Sequence, residues 1–271
     1  MSNQEFIVLY PQEYLESATD STVFGDIEPL GKTGQKISIS QKSEDGDGSL
    51  VFFPEHWGTC FGINEVKPFE DANAKEKKEE EKKEELPPKF DITYVLDNRE
   101  NYKDETLSEG AQQFASAIEM FRDRLINHLK SDDVIEELPD DIQMKLKNPD
   151  TEASVLRQIL VYPNKIEKKT MKNGKTKEVK VPDKTKPPRI YGKRVLRTRK
   201  GEWLTEFQKT SSKEPDAELE SIDPNSLMGI SAEIRPLCKF DYLFVKENKL
   251  CLQLRLLEGI VIPFGGRRLG G

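Results

Sequence analysis

Residues 187–209, PPRIYGKRVLRTRKGEWLTEFQK, gather the two residue types that can hold a single-stranded nucleic acid. Arg189, Lys193, Arg194, Arg197, Arg199 and Lys200 can neutralise phosphates, and the counterions released make such contacts favourable at low salt. Tyr191, Trp203 and Phe207 offer flat faces for unpaired bases, each stacked base contributing roughly 1–3 kcal/mol. Read as a strand, 189–197 puts Arg189, Tyr191, Lys193, Val195 and Arg197 on one face, so that Tyr191 lies between two cations. On 203–209, Trp203, Thr205, Phe207 and Lys209 share a face. Either Trp203 and Phe207 enter the core with Leu204 as the exception, or they are exposed platforms; buried rings are the commoner outcome on strands.

The chain as a whole is acidic, with formal net charge −7 over 271 residues. Between Asn164 and Lys213, however, 17 Lys and Arg face 5 Asp and Glu, a local +12 that leaves −19 for the remainder. Charge segregated in this way suits a polyanion-binding face on a body kept soluble by acidic surface. A lysine-rich loop with no partner is the bland alternative.

Catalytic groups are sparse. His128 lies off the apolar stripe of its helix and reads as a solvated helix residue, since a general base needs an oriented partner. His56 and Cys60 are four apart in PEHWGTC, but a structural zinc wants four ligands in close pairs and no second pair exists. EDGDG at 44–48 is a fragment of a calcium loop whose twelfth position, counted from Asp45, is His56 and not glutamate. GKTG at 31–34 lacks the upstream glycine of a phosphate loop. No metal, no cofactor and no enzyme activity is expected.

These residues have to be positioned by a β-rich frame. FIVLY (6–10), KISIS (36–40), SLVFF (49–53) and FDITYVL (90–96) are β-branched and aromatic runs set apart by turn residues. Phe114, Ile118, Phe121, Leu125 and Leu129 recur at helical spacing within TLSEGAQQFASAIEMFRDRLINHLK, with Thr106 or Ser108 as cap. A shorter helix is expected over 151–162, opening at Thr151 and ending before Pro163. KIEKKTMKNGKTKEVKV places Asn173-Gly174 at a hairpin tip between arms too polar to enter a core. RIYGKRVLRT, EWLTEFQK, GISAEIRPLCKFDYLFV and KLCLQLRLLEGIVI follow as strands, the last two joined by a turn at Glu247-Asn248.

Strands, then a helix, then strands give an α+β, β-rich class, and the order allows an oligonucleotide-binding (OB-fold-like) Greek-key barrel with an inserted amphipathic helix. The layout is a single domain over 1–262, with a charged flexible loop at 75–88, a basic loop or hairpin at 164–186, and a basic, glycine-rich tail at 263–271. No run of about 18 apolar residues exists, so no membrane span is expected. The N-terminus has no basic region, so no secretory signal is expected either. Cys60, Cys238 and Cys251, odd in number and widely spaced, suit reduced thiols in an intracellular compartment, and the last two read as core.

From QQFASAIEMFRDRL through SVLRQIL, the basic linker and PPRIYGKRV to the hairpin IRPLCKFDYLFVKENKLCLQLRLLEGIVI, the chain resembles the single-stranded DNA-binding proteins of large nucleocytoplasmic DNA viruses. The resemblance spans residues 89 to 262, about two thirds of the chain. It implies an oligonucleotide-binding barrel that coats exposed strands in viral replication, recombination or repair. Arg189, Tyr191, Lys193 and Arg194 match the basic strand expected to face DNA, and Arg235 and Lys239 match the strand leading into the final hairpin. The implied ligand is single-stranded DNA or RNA. Replication or repair proteins are the implied partners, in the host cytoplasm or nucleus. Many single-strand binders end in an acidic tail, whereas this chain ends PFGGRRLGG. The competing class is a virion or scaffold protein whose basic loop docks on an acidic partner.

Overall fold

A computed structural model of the chain describes residues 6–31, 34–66, 89–97, 107–156, 158–170, 176–195, 198, 201–246 and 249–264. In chain order the first strands are β1 (Phe6–Leu9), β2 (Thr22–Leu30), β3 (Gly34–Ser43), β4 (Gly46–Phe52), β5 (Gly58–Val66) and β6 (Lys89–Val95). An irregular helical stretch over 11–21 separates β1 from β2. Helices α1 (Glu109–Leu129), α2 (Asp132–Ile135), α3 (Asp140–Lys147) and α4 (Pro149–Val155) follow. Then come β7 (Leu160–Val161), β8 (Asn164–Thr170), β9 (Thr176–Pro182), β10 (Arg189–Val195), β11 (Glu206–Lys209), β12 (Glu220–Ile222), β13 (Ala232–Lys246) and β14 (Lys249–Pro263).

The helical period set the packing of α1. Phe114, Ile118, Phe121, Leu125 and Leu129 are all buried, each contributing roughly 1.5–3 kcal/mol by leaving water. Ser108 caps the helix by accepting from the Ala111 N–H at 3.3 Å. The stripe crosses β2, β4 and β13: Phe121 lies 4.4 Å from Phe240 and 5.7 Å from Phe24, and Phe114 lies 6.2 Å from Phe52, ring centre to ring centre. His128 is not a solvated residue. Its ring sits 5.2 Å from Phe24, and burial lowers its pKa.

The shorter helix differs from expectation. Asn148, not Thr151, is the N-cap, its side chain accepting from the Asp150 N–H at 3.0 Å, and Pro149 takes the first helical position. The helix stops at Val155, and Leu160–Val161 is a strand instead.

Among the described residues, twelve strands pair in one mixed sheet, and β8 and β9 form a separate hairpin. The long hairpin of β13 and β14 is its centre, running from Ala232 opposite Pro263 to Lys246 opposite Lys249; the expected turn at Glu247-Asn248 lies outside the described residues. Pairing then follows a circuit: β13 with β5, β5 with β6, β6 with β10, β10 with β14, and β14 back to β13. β1, β4, β3 and β2 flank it on one side and β11 and β12 on the other. As a whole this is an α+β architecture built, among the described residues, on one strand-rich mixed sheet.

Two strands broke the sequence pattern. β2 carries Gly25 and Pro29 and a register shift between Phe24 and Ile27; it pairs with β3 alone, where a proline costs no ladder bond. β5 is bulged between Cys60 and Ile63, with Gly62 at φ 82°. Cys60 and Cys238 are buried, whereas Cys251 is only half-buried, on the outer side of the hairpin beside Phe244. The expected loop at 75–88 and residues 265–271 of the tail lie outside the described residues, while Pro263 still belongs to β14.

Candidate nucleic-acid interface

The register of β10 decides how far the basic strand can act as expected. Ile190 and Val195 are both buried, and an odd spacing of five cannot keep them on one face of a regular strand. The phase slips at a register shift between Ile190 and Lys193 against β6. Val195 therefore does not share a face with Arg189, and the expected regular alternation does not hold. Arg189 faces the outside half-buried, its guanidinium 5.8 Å from the centre of the exposed Phe61 ring on β5. Lys193 stands opposite Ile92 and Arg194 opposite Asp91, whose pKa burial raises. Tyr191 lies within the slipped stretch. Arg197, Arg199 and Lys200 lie outside the described residues.

Phe207 is core. It is 1 % exposed and occupies the space left by the missing side chain of Gly259, so it cannot stack on a base. Trp203 packs its ring 5.0 Å from Phe90, half-buried against the same core.

The cations matched through the resemblance are in different company. Along β13, Ala232, Ile234, Cys238 and Phe240 go into the core, which leaves Glu233, Arg235, Leu237 and Lys239 on the outer face. Arg235 lies flat on aromatic surface, its guanidinium 4.5 Å from the Phe53 ring centre and 6.0 Å from that of Trp57. Its Nε donates to the Pro54 carbonyl at 3.3 Å. Burial lowers its pKa, with Tyr10 and Glu55 opposing, but a guanidinium keeps its charge throughout. Lys239 is 6 % exposed and so is not a free surface cation; its Nζ lies 3.2 Å from Asp241 Oδ1 and 5.7 Å from the centre of the Phe6 ring.

Four aromatic rings missed by the sequence reading frame these two cations. β1 alternates, with Phe6, Val8 and Tyr10 outward; Phe6 is 52 % and Tyr10 39 % exposed, open enough for a flat ligand. Tyr10 lies 6.1 Å from Phe53, which continues through Arg235 to Trp57. A long apolar run with aromatics at its ends was the signal available in FIVLY, and PEHWGTC carried Trp57.

Strand register extends the cationic row. Val8 pairs with Val51, Val51 with Lys239, Lys239 with Arg255, and Arg255 with Arg194. Lys239, Arg255 and Arg194 thus hold one register level on β13, β14 and β10, neighbouring strands about 4.8 Å apart. Asp241, at a register shift between Phe240 and Tyr242, bridges two of them: Arg255 Nη2 lies 2.6 Å from Asp241 Oδ2. Beside it opens a groove of about 420 Å³ lined by Ser38, Ser40, Ser49, Lys239, Asp241 and Tyr242 among others. The hairpin of β8 and β9 leaves the sheet between β7 and β10. Lys165, Lys168 and Lys180 are exposed on it, and so is Ile166, 65 % open to solvent, as expected for arms with no core face.

A family model described as "Protein of unknown function (DUF2738)" matches residues 92–269. The chain belongs to that family. No curated protein matches it. The matched span includes Arg189, Arg194, Arg235, Lys239 and Arg255, while Phe6, Tyr10, Phe53 and Trp57 precede it.

Burial pushes the Cys60 thiol up to about 11 and the His56 imidazole down to about 4, and among the described residues no group of three or more His, Cys, Asp or Glu is placed to hold an ion. No helix of the described chain is long and apolar enough to cross a membrane.

Proposed function

We propose that the chain binds single-stranded DNA without reading its sequence and has no catalytic activity. The observation that carries this reading is the outer face of β13, where Arg235 lies on Phe53 and Trp57 and Lys239 lies under the exposed Phe6. Cations interleaved with aromatic rings, of which Phe6 and the neighbouring Tyr10 are open to solvent, are what a sequence-tolerant strand binder needs. Arg189 beside Phe61 on β5 and the exposed lysines of the β8–β9 hairpin are further positive surface available to a strand. The five-strand pairing circuit supports an oligonucleotide-binding core to which the flanking strands are added. With the resemblance read from the sequence, the proposed role is to coat strands exposed in the replication, recombination or repair of a large DNA virus, inside the infected cell and alongside replication or repair proteins.

Fluorescence anisotropy with a labelled oligo-dT strand tests this. Affinity is expected to fall steeply with salt, and Arg235→Ala is expected to flatten the log–log slope by about 0.7, the share of one phosphate on a single strand. Oligo-rU in parallel tells DNA from RNA preference. No binding at low salt refutes the proposal. Equal binding to polyglutamate would point instead to docking on an acidic partner.

A further inference from the structure

The single-strand reading leaves Asp241 unexplained, because an acid at the centre of a phosphate-binding row works against it. We propose that Lys239 and Arg255 form a binding site for one phosphodiester of the bound strand, and that Asp241 holds the place of that phosphate in the free protein.

The two cations converge on opposite oxygens of one carboxylate, Lys239 Nζ at 3.2 Å from Oδ1 and Arg255 Nη2 at 2.6 Å from Oδ2. Both cations therefore stand within ion-pair distance of one oxyanion between neighbouring strands, and a phosphate offers the same paired oxygens. The register shift at Asp241 aims the acid between them, the kind of strand irregularity that re-aims a side chain at a site. Room for the incoming group lies alongside, in the groove where Ser38, Ser40 and Ser49 supply hydroxyl donors next to Lys239. The other charges on that groove are Asp47 and Lys36, and Lys36 is held by Glu28 at 2.8 Å. Arg255 is 38 % exposed, so the exchange can begin from solvent without opening the core. The internal carboxylate keeps a buried lysine paired when no strand is bound, and displacing it makes binding weaker than the row of cations alone would give.

The inference rests on the single-strand reading, and the experiment separates the two. Oligo-dT anisotropy over a salt series is measured for the wild-type chain, Asp241→Asn and Arg255→Gln, with melting curves for each. Asp241→Asn is expected to bind about two- to fivefold tighter, because the amide no longer competes with the phosphate for Lys239 and Arg255, with a slope steeper by about 0.7. Arg255→Gln, which leaves Lys239 paired with Asp241, is expected to bind more weakly with a slope flatter by about 0.7. If the wild-type chain binds and Asp241→Asn is unchanged or weaker while still folded, the place-holding role is overturned. An unchanged Arg255→Gln overturns the site. Should Asp241→Asn fail to fold, the Arg255→Gln slope alone decides. Inorganic phosphate that competes as well as the oligonucleotide at equal phosphate concentration would make this a free-anion site and overturn the strand assignment. No binding by the wild-type chain refutes the single-strand reading itself.

Discussion

Replacing Phe207 by alanine separates the core from the candidate interface. The ring is 1 % exposed and lies against Gly259, where an added methyl would meet it at 2.9 and 3.0 Å and would meet Ile234 at 3.2 Å. Its partners on either side are Ile222 on β12 and Gly259 on β14, so no flexible neighbour stands ready to fill the space. Truncating a ring buried to this degree costs about 3–5 kcal/mol, transfer and cavity together. For a chain of this size each kcal/mol moves Tm by about 2–4 °C, which gives a fall of roughly 6–20 °C. Circular dichroism melting measures that fall, and oligo-dT anisotropy well below both transitions is expected to give the wild-type Kd. Phe6→Ala is the counterpart: it removes a ring 52 % exposed over Lys239, and losing one stacked base, worth about 1–3 kcal/mol, weakens binding fivefold or more. A Phe207→Ala chain that melts like wild type but loses oligonucleotide affinity would refute the assignment of that ring to the core.

Two further outcomes follow from buried groups. His56 has its pKa lowered from 6.5 to about 4, chiefly by burial and also by Arg235, with the Leu96 backbone and Asp97 opposing. Above pH 6.5 the imidazole is neutral in both folded and unfolded chains; as pH falls from 6.5 towards 4 only the unfolded chain takes the proton, so stability drops, by at most about 3 kcal/mol. Urea unfolding between pH 7 and 4 checks this, and His56→Gln is expected to flatten the dependence. Gly62→Ala puts a side chain at φ 82° with its Cβ 2.5 Å from the Ile230 nitrogen and 2.8 Å from the Leu227 oxygen. Backbone atoms cannot turn aside, so a loss of at least about 1–3 kcal/mol is expected as a lower urea midpoint at constant m.

The periodic elements were legible in the sequence because one physical rule dominated each. The stripe from Phe114 to Leu129 had only one way to leave water, and the alternation from Leu250 to Leu256 fixed the inner face of β14. β2 and β5 were not legible, since an edge strand tolerates Gly25 and Pro29 and a bulge at Gly62 resets the alternation. The same kind of slip undid the expected face of β10, where local sequence cannot reveal which residue the neighbouring strand skips. Trp203 and Phe207 stood as alternatives in the sequence; Phe207 went to the core and Trp203 stands half-buried at its edge. The rings that frame the cations were hidden for another reason. Phe6, Tyr10, Phe53 and Trp57 meet Arg235 and Lys239 only through pairing between β1, β4 and β13, across some two hundred residues of chain.

β13 borrows its outer neighbours from the beginning of the chain. Residues 232–234, 238–239 and 242–245 pair with β5, β4 and β3, all of which end before residue 67. The span recognised as the family begins at residue 92, inside β6, and leaves these partners out. A protein expressed from that span would present a long bare ladder of N–H and C=O groups beside Phe240, Leu243 and Val245, a template for joining other copies. The first sixty-six residues therefore serve as an edge guard, and the length of chain that can be recognised is shorter than the length that can be purified. Truncations designed on the recognised span are expected to self-associate on size-exclusion chromatography, whatever they bind.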